Sequence, residues 1–362
     1  MIYYFTEYTR LILCFGLSLF VTFILLPSIV DIARARSLVA VPNGRTSHSR
    51  EIPVLGGLGI FIGFIISCLI FLSFSSFPRF QYLFAGLIII FFVGFKDDVI
   101  GISPTKKFLG QVVAALIIIE FGQMRITELH GFLGIHHIGY TPSLILTLIT
   151  IVGVTNCFNL MDGIDGLSAS LGILSAASFG WWFFRFGQYD WTVLSAGLIG
   201  ALIAFFYFNV FGRRYKIFMG DTGALLLGYL MSVMAIEFNE FNIGFSGSQA
   251  IPSTPAIAVG VLMIPVFDTL RVSATRLIKR KSPFLPDKTH IHHYLLCIGC
   301  SHFAATMILF ITGLCFVVLS FLLVKLDAAL LLLILLCIAS ILSYIAIFLA
   351  KKKQLEPDVD TC

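Results

Sequence analysis

Apolar runs of roughly bilayer length recur from one end of this chain to the other, separated only by short polar interruptions, and that spacing leaves few folds open. A helix needs about 20 apolar residues to cross the hydrocarbon core, and backbone placed there must satisfy its own hydrogen bonds. Of the 362 residues 58% are hydrophobic and 12% charged, with a mean hydropathy of +0.99. Such values exclude a water-soluble globular domain of this length. The chain reads as an all-α polytopic membrane protein.

Cutting at charges, prolines and turn residues predicts about eleven transmembrane helices. They fall near 9–30, 56–75, 82–96, 108–122, 142–160, 167–186, 191–211, 222–238, 255–275, 303–325 and 328–350. The first run is longer than a signal-peptide core and is followed by basic residues, so it reads as a retained span. One integral membrane domain covers 1–350, and 351–362 form a short tail.

Basic residues orient the bundle. With the N-terminus outside, 19 of the 24 lysines and arginines fall in inner segments, leaving Arg10, Arg79, Arg125, Arg185 and Lys325 outside. This asymmetry predicts a cytoplasmic C-terminus. Every acidic or amide-rich motif then lies on the basic side, so an active site is expected in a cytoplasmic-face cleft, acting on a charged cytosolic reactant.

The stretch from Val154 to Ser168, VTNCFNLMDGIDGLS, sets Asn156, Asn159, Asp162 and Asp165 at the end of an apolar run. A continuous helix would place Asn159, Asp162 and Asp165 along one face. Polar groups of this kind at a span end mark a functional site, although a water-exposed helix end would look the same. In FKDDVIGISPTKK, Asp97 and Asp98 lie near Lys106 and Lys107. Adjacent carboxylates resist double ionisation unless a cation is close, and Mg²⁺ suits oxygen ligands together with phosphates; a solvated charged loop is the plain alternative. In RRYKIFMGDTGA, Asp221 falls at the start of a span, where it can cap amides and where phosphate also binds. Phe218 beside it can stack a base or serve as an interface aromatic.

The segment RLIKRKSPFLPDKTHIHHYLL combines Arg276 and other basic residues with His290, His292 and His293. Histidine can orient phosphate oxygens or carry a proton. Zinc is disfavoured, because Cys297 and Cys300 have no second ligand pair. An inner loop, PNGRTSHSREIPVLGG, carries Arg50 and reads as a flap or a connector. The outer loop with His130, His136 and His137 reads as a small hairpin without a catalytic role. No Walker-type glycine loop is present. A transporter would place its carboxylates near the midplane in repeated broken helices, whereas these cluster at one interface.

These motifs together resemble the polyprenyl-phosphate N-acetylhexosamine-1-phosphate transferases. That integral membrane family joins a sugar-1-phosphate from a UDP-sugar to undecaprenyl phosphate and releases UMP. SPFLPDKTHIHH is similar to the WecA/TagO-type branch, which starts surface polysaccharides. The related MraY branch, which transfers phospho-MurNAc-pentapeptide, tends to have consecutive histidines, and Ile291 interrupts that run here. Some relatives carry a third acid where this chain has Gly101, so a three-acid metal site there is not expected.

The resemblance implies Mg²⁺ as cofactor, with Mn²⁺ as a substitute, and Asp221 as leading ligand. Asp97 or Asp98 would act as base or as a further ligand. Asp162 and Asp165 with Asn156 and Asn159 would hold the nucleotide, Asp165 and Phe218 taking uracil. Arg276, His290, His292 and His293 would hold diphosphate and sugar, with Lys106 and Arg50 as further substrate-binding cations. Expected partners are a UDP-N-acetylhexosamine, undecaprenyl phosphate and membrane lipid, with room for a homodimer and no role for nucleic acid. The expected location is the bacterial inner membrane.

Overall fold

The apolar runs fold as helices because only helix satisfies the backbone of such segments within the chain itself. The structure is a computed structural model that describes residues 2–36, 38–40, 52–73, 79–245, 251–281 and 289–353. Helix α1 (Ile2–Ala35) leads into a short antiparallel pair, β1 (Val39–Ala40) and β2 (Ile52–Pro53), registered Val39 to Pro53 and Ala40 to Ile52. Next come α2 (Gly56–Phe71), α3 (Phe80–Ile100) and α4 (Pro104–Leu116), the last extended by a π-helical turn over Ile117–Phe121. Pro104 starts α4 because its missing N–H is unneeded in a first turn.

A hairpin, β3 (Glu128–Phe132) and β4 (Ile135–His137), precedes α5 (Tyr140–Met161), α6 (Leu167–Arg185) and α7 (Tyr189–Phe206), which ends in a second π-helical turn. Beyond α8 (Gly220–Phe241), a bent pair, α9 (Thr254–Val261) and α10 (Met263–Ile278), is followed by the short α11 (Ile291–Cys297) and by α12 (His302–Leu322) and α13 (Ala328–Lys352).

Every expected apolar segment holds helix, but not every one is long and apolar enough to be a span by itself. Among the described residues seven helices are long and apolar enough to cross a membrane, or eight if α9 and α10 form one broken span. Helix α2 has only 16 residues, α3 ends in Lys96, Asp97 and Asp98, and α4 starts with Lys106 and Lys107. The run at 255–275 is not one straight helix, since α9 and α10 meet at 85°.

Helix α8 is the enclosed centre of the bundle, with Leu225, Leu226, Tyr229, Met231 and Phe238 inaccessible to solvent. Gly94 lets α3 reach it, because a Cβ there would fall 2.5 Å from Thr222 Cα. That approach brings the carboxylates of α3 to the first turn of α8. Nearby, residues 53–57 pair with 218–219: Phe218 N–H donates to Pro53 O at 2.8 Å, and Gly56 and Gly57 donate back to Phe218 O and Met219 O at 2.9 and 2.8 Å. Two motifs distant in sequence thus share one end of the bundle.

Candidate active site

Asp97 and Asp98 are adjacent but have different surroundings. Asp98 turns into the N-terminus of α8, where Oδ1 accepts from Asp221 N–H at 2.7 Å and Oδ2 from Thr222 N–H at 2.9 Å and Thr222 Oγ1 at 2.5 Å. It is the cap that α8 lacks from its own N-cap residue. Both of its oxygens are engaged at that helix end, which gives Asp98 a structural role.

Asp97 turns the other way. Its Oδ1 takes Ile102 N–H at 2.8 Å, and its Oδ2 lies 3.1 Å from Lys107 Nζ. Lys107 also contacts Asp221 Oδ2 at 2.6 Å and Asn159 Oδ1 at 3.2 Å, while Asn159 Nδ2 donates to Asp221 Oδ1. Lys107 Nζ thus bridges the Asp97 and Asp221 carboxylates. The elements α3, α4, α5 and α8 therefore meet at one ammonium between two carboxylates.

Among the described residues no three His, Cys, Asp or Glu side chains already converge as a metal cage. Asp97 and Asp221 do form an oxygen pair closed around a cationic group. That donor set fits Mg²⁺, which takes one or two carboxylates and fills its remaining positions with water and phosphate.

Lys106, the expected cation, is exposed, and its neighbour Lys107 is the one turned into the cluster. Asn156 is held by Gln111, donating to Gln111 Oε1 at 2.7 Å. Its amide therefore braces α4 against α5. Arg50 lies outside the described residues.

The continuous face expected through Asp165 does not form. Helix α5 ends at Met161, and residues 162–166 make a turn before α6. Two glycines within four residues disfavour helix by about 1 kcal/mol each. Asp162 stays near the first cluster: burial pushes its carboxyl up to about 7, with Asp221, Asp98 and Asp165 adding to the effect. Asp165 faces elsewhere, with Lys216 Nζ at 2.6 Å and His302 Nδ1 at 3.6 Å from Oδ2. Burial alone would raise its pKa, but His302 and Lys216 outweigh it and hold Asp165 below the usual range. Its Oδ1 is buried with no hydrogen-bond partner.

The histidines rest on the same turn. His292 packs on Gly163, where a Cβ would fall 2.3 Å from His292 Nε2. Both its ring nitrogens are buried without partners, and burial, followed by the neighbouring His293, holds the imidazole well below its ordinary range. His290 and His293 flank it, with ring centroids at 5.8 and 4.2 Å. Arg276 is buried in the last turn of α10, and Phe218 is half-buried at the loop before α8.

One further residue, Asp268, is 2% exposed and contacts His290 and Arg271. Its signal was present in the sequence as a lone carboxylate inside an apolar run.

Comparison with known proteins adds to this geometry. A Bacillus subtilis (strain 168) protein named probable undecaprenyl-phosphate N-acetylglucosaminyl 1-phosphate transferase is 31% identical over 308 residues, 85% of this chain and 83% of its own. This chain belongs to glycosyl transferase family 4. The family's sequence profile matches residues 80–239, the segment from α3 to α8 that carries Asp97, Asn159 and Asp221. An Escherichia coli (strain K12) undecaprenyl-phosphate alpha-N-acetylglucosaminyl 1-phosphate transferase is 30% identical over 271 residues, 74% of this chain and 71% of its own. A Mycolicibacterium smegmatis decaprenyl-phosphate N-acetylglucosaminephosphotransferase is 31% identical over 299 residues, 75% and 72%. The resemblance carried by the motifs of this family 4 chain is thus a family relationship.

Proposed function

We propose that this chain transfers an N-acetylhexosamine-1-phosphate, foremost GlcNAc-1-phosphate, from its UDP-sugar to undecaprenyl phosphate and releases UMP. The product would initiate a cell-surface polysaccharide. The observation that carries this reading is the Asp97–Lys107–Asp221 cluster, a centre for handling phosphate at one end of a membrane bundle. The names of the relatives support the choice of sugar and lipid.

In this mechanism an oxygen of the lipid phosphate attacks the β-phosphorus in line, and the bond from that phosphorus to the bridging oxygen breaks, leaving UMP. One diphosphate linkage forms as one is lost, so no ATP is required. Little covalent chemistry falls to the protein, and positioning with charge stabilisation supplies the acceleration. Lys107 reaches the transferring phosphoryl group from between the carboxylates. Asp221 and Asp97 would hold Mg²⁺, which neutralises charge on the diphosphate when bound.

A phosphate monoester is already largely dianionic at neutral pH, so Asp97 need not remove a proton. Asp165 Oδ1, a buried acceptor without a donor, is assigned to uracil, with Phe218 stacking the base. His290, His292, His293 and Arg276 are assigned to the diphosphate and sugar. Beside them an apolar cavity of about 220 Å³, lined by Met263, Phe267, Leu295, Phe316 and Ala346, offers a wall for the prenyl chain.

We place the protein in the cytoplasmic membrane with this site facing the cytosol, as the distribution of basic residues supports. UMP release is the test. Purified protein with undecaprenyl phosphate and Mg²⁺ is offered UDP-GlcNAc, UDP-GalNAc or UDP-MurNAc-pentapeptide in parallel. Lipid-dependent UMP from UDP-GlcNAc is expected; UMP only from the pentapeptide donor would move the chain to the peptidoglycan branch.

A further inference from the structure

Helix α11 carries His292 and His293 yet starts without a cap of its own, since the side chain of its N-cap residue, His290, makes no capping hydrogen bond. The acceptor comes from α10. Asp268 receives Ile291 N–H on both carboxylate oxygens at 3.2 Å, and its Oδ2 lies 2.9 Å from His290 Nδ1. Arg271, one turn along α10, donates to Asp268 Oδ1 at 2.7 Å and to the Thr289 carbonyl at 2.5 Å. The chain entering α11 is therefore held from its backbone and from its first ring.

A buried carboxylate is costly, and offsetting that cost takes good geometry and several hydrogen bonds. Here the bonds also do something specific. A carboxylate that accepts from its neighbours at both oxygens leaves Nδ1–H as the donor, which fixes the tautomer and the ring orientation of His290. Nε2 is then the nitrogen left for a ligand. His290 lies parallel to His292, with an interplanar angle of 8°, and His292 is the buried ring with both nitrogens unpartnered.

We propose that Asp268 is a positioning residue for the transfer: through Nδ1 of His290 and the first amide of α11, it holds the histidine pair in register with the Gly163 turn to receive the substrate diphosphate. This rests on the transferase reading. Carboxylates that orient metal-bound histidines contribute about 10- to 100-fold, and an effect of that order is expected here.

A double-mutant cycle tests the proposal, with lipid-dependent UMP release measured for wild type, Asp268→Asn, His290→Gln and the double variant, and folding followed by thermal midpoint in detergent. Asn still accepts the Ile291 amide but no longer enforces the tautomer. Asp268→Asn is expected to lower kcat about tenfold or more while KM for the UDP-sugar stays within about threefold. The double variant is expected to be no slower than His290→Gln alone.

Additive losses, or an Asp268→Asn enzyme within about twofold of wild type, would overturn the proposal. Should Asp268→Asn not fold, Asp268→Glu takes its place in the same cycle, keeping the charge but displacing it by one methylene. No UMP from wild type would overturn the transferase reading and this inference with it. Wild-type activity with an additive cycle would overturn the inference alone.

Discussion

Lys107 places a positive charge between two carboxylates that would otherwise repel each other and repel an incoming diphosphate. Replacing it with an isosteric apolar side chain, Lys107→Met, is expected to lower turnover by about 10²- to 10³-fold. Lys106→Met is expected to stay within about twofold, because Lys106 is exposed and surface substitutions are usually near neutral. Steady-state UMP release compares the two.

Asp162 gives a prediction in pH. Its carboxyl titrates at about 7 in the folded protein and near 3.9 in an unfolded chain. Between these values the folded state binds more protons, so stability falls as pH rises through that window. Asp162→Asn is expected to lose less thermal stability than wild type between pH 5 and 7. Parallel wild-type and variant curves would contradict the assignment.

The acids of this site could be singled out in the sequence because carboxylates at a membrane boundary are costly and rarely incidental. The choice between Lys106 and Lys107 could not. Neighbours on a helix point about 100° apart, and only the packing of α4 against α3 and α5 decides which one turns inward.

At the scale of elements, Asp98 ties α3 to the first turn of α8. Asp98→Ala is expected to cost about 0.5–2 kcal/mol as a lost cap, read as a lower thermal midpoint, and to reduce turnover by releasing Asp221. An unchanged midpoint would remove the capping role. The helices themselves were legible from apolar run length, whereas their breaks were less so. Regular three-residue spacing from Asn159 to Asp165 suggested one continuous face, but Gly166 takes a left-handed conformation, φ 77°, and α5 stops at Met161. The 85° bend after Val261 left no mark in hydropathy, because Leu262 at the break is apolar and Pro265 sits in a first turn where proline is tolerated.

For the whole molecule, the two ends of the bundle carry different chemistry. The aspartates and histidines of the site gather with Lys107 at one end, while the β3–β4 hairpin, with Glu128, His130, His136 and His137, lies at the other. With Cys315 and Cys337 replaced, a cysteine at Leu133 in the hairpin is expected to react with a membrane-impermeant maleimide in intact cells. One at Arg213 is expected to react only after permeabilisation. The reverse pattern would invert the orientation and separate the site from cytosolic UDP-sugars.

The most direct measurement is UMP release from UDP-GlcNAc with undecaprenyl phosphate, comparing wild type with Asp221→Asn across a Mg²⁺ series. Lipid-dependent UMP from wild type, with a loss of about 10²-fold or more in the variant that is deepest at limiting Mg²⁺, is the predicted result. Equal turnover of the two proteins at limiting Mg²⁺ would contradict a phosphoryl-transfer centre at Asp97, Lys107 and Asp221.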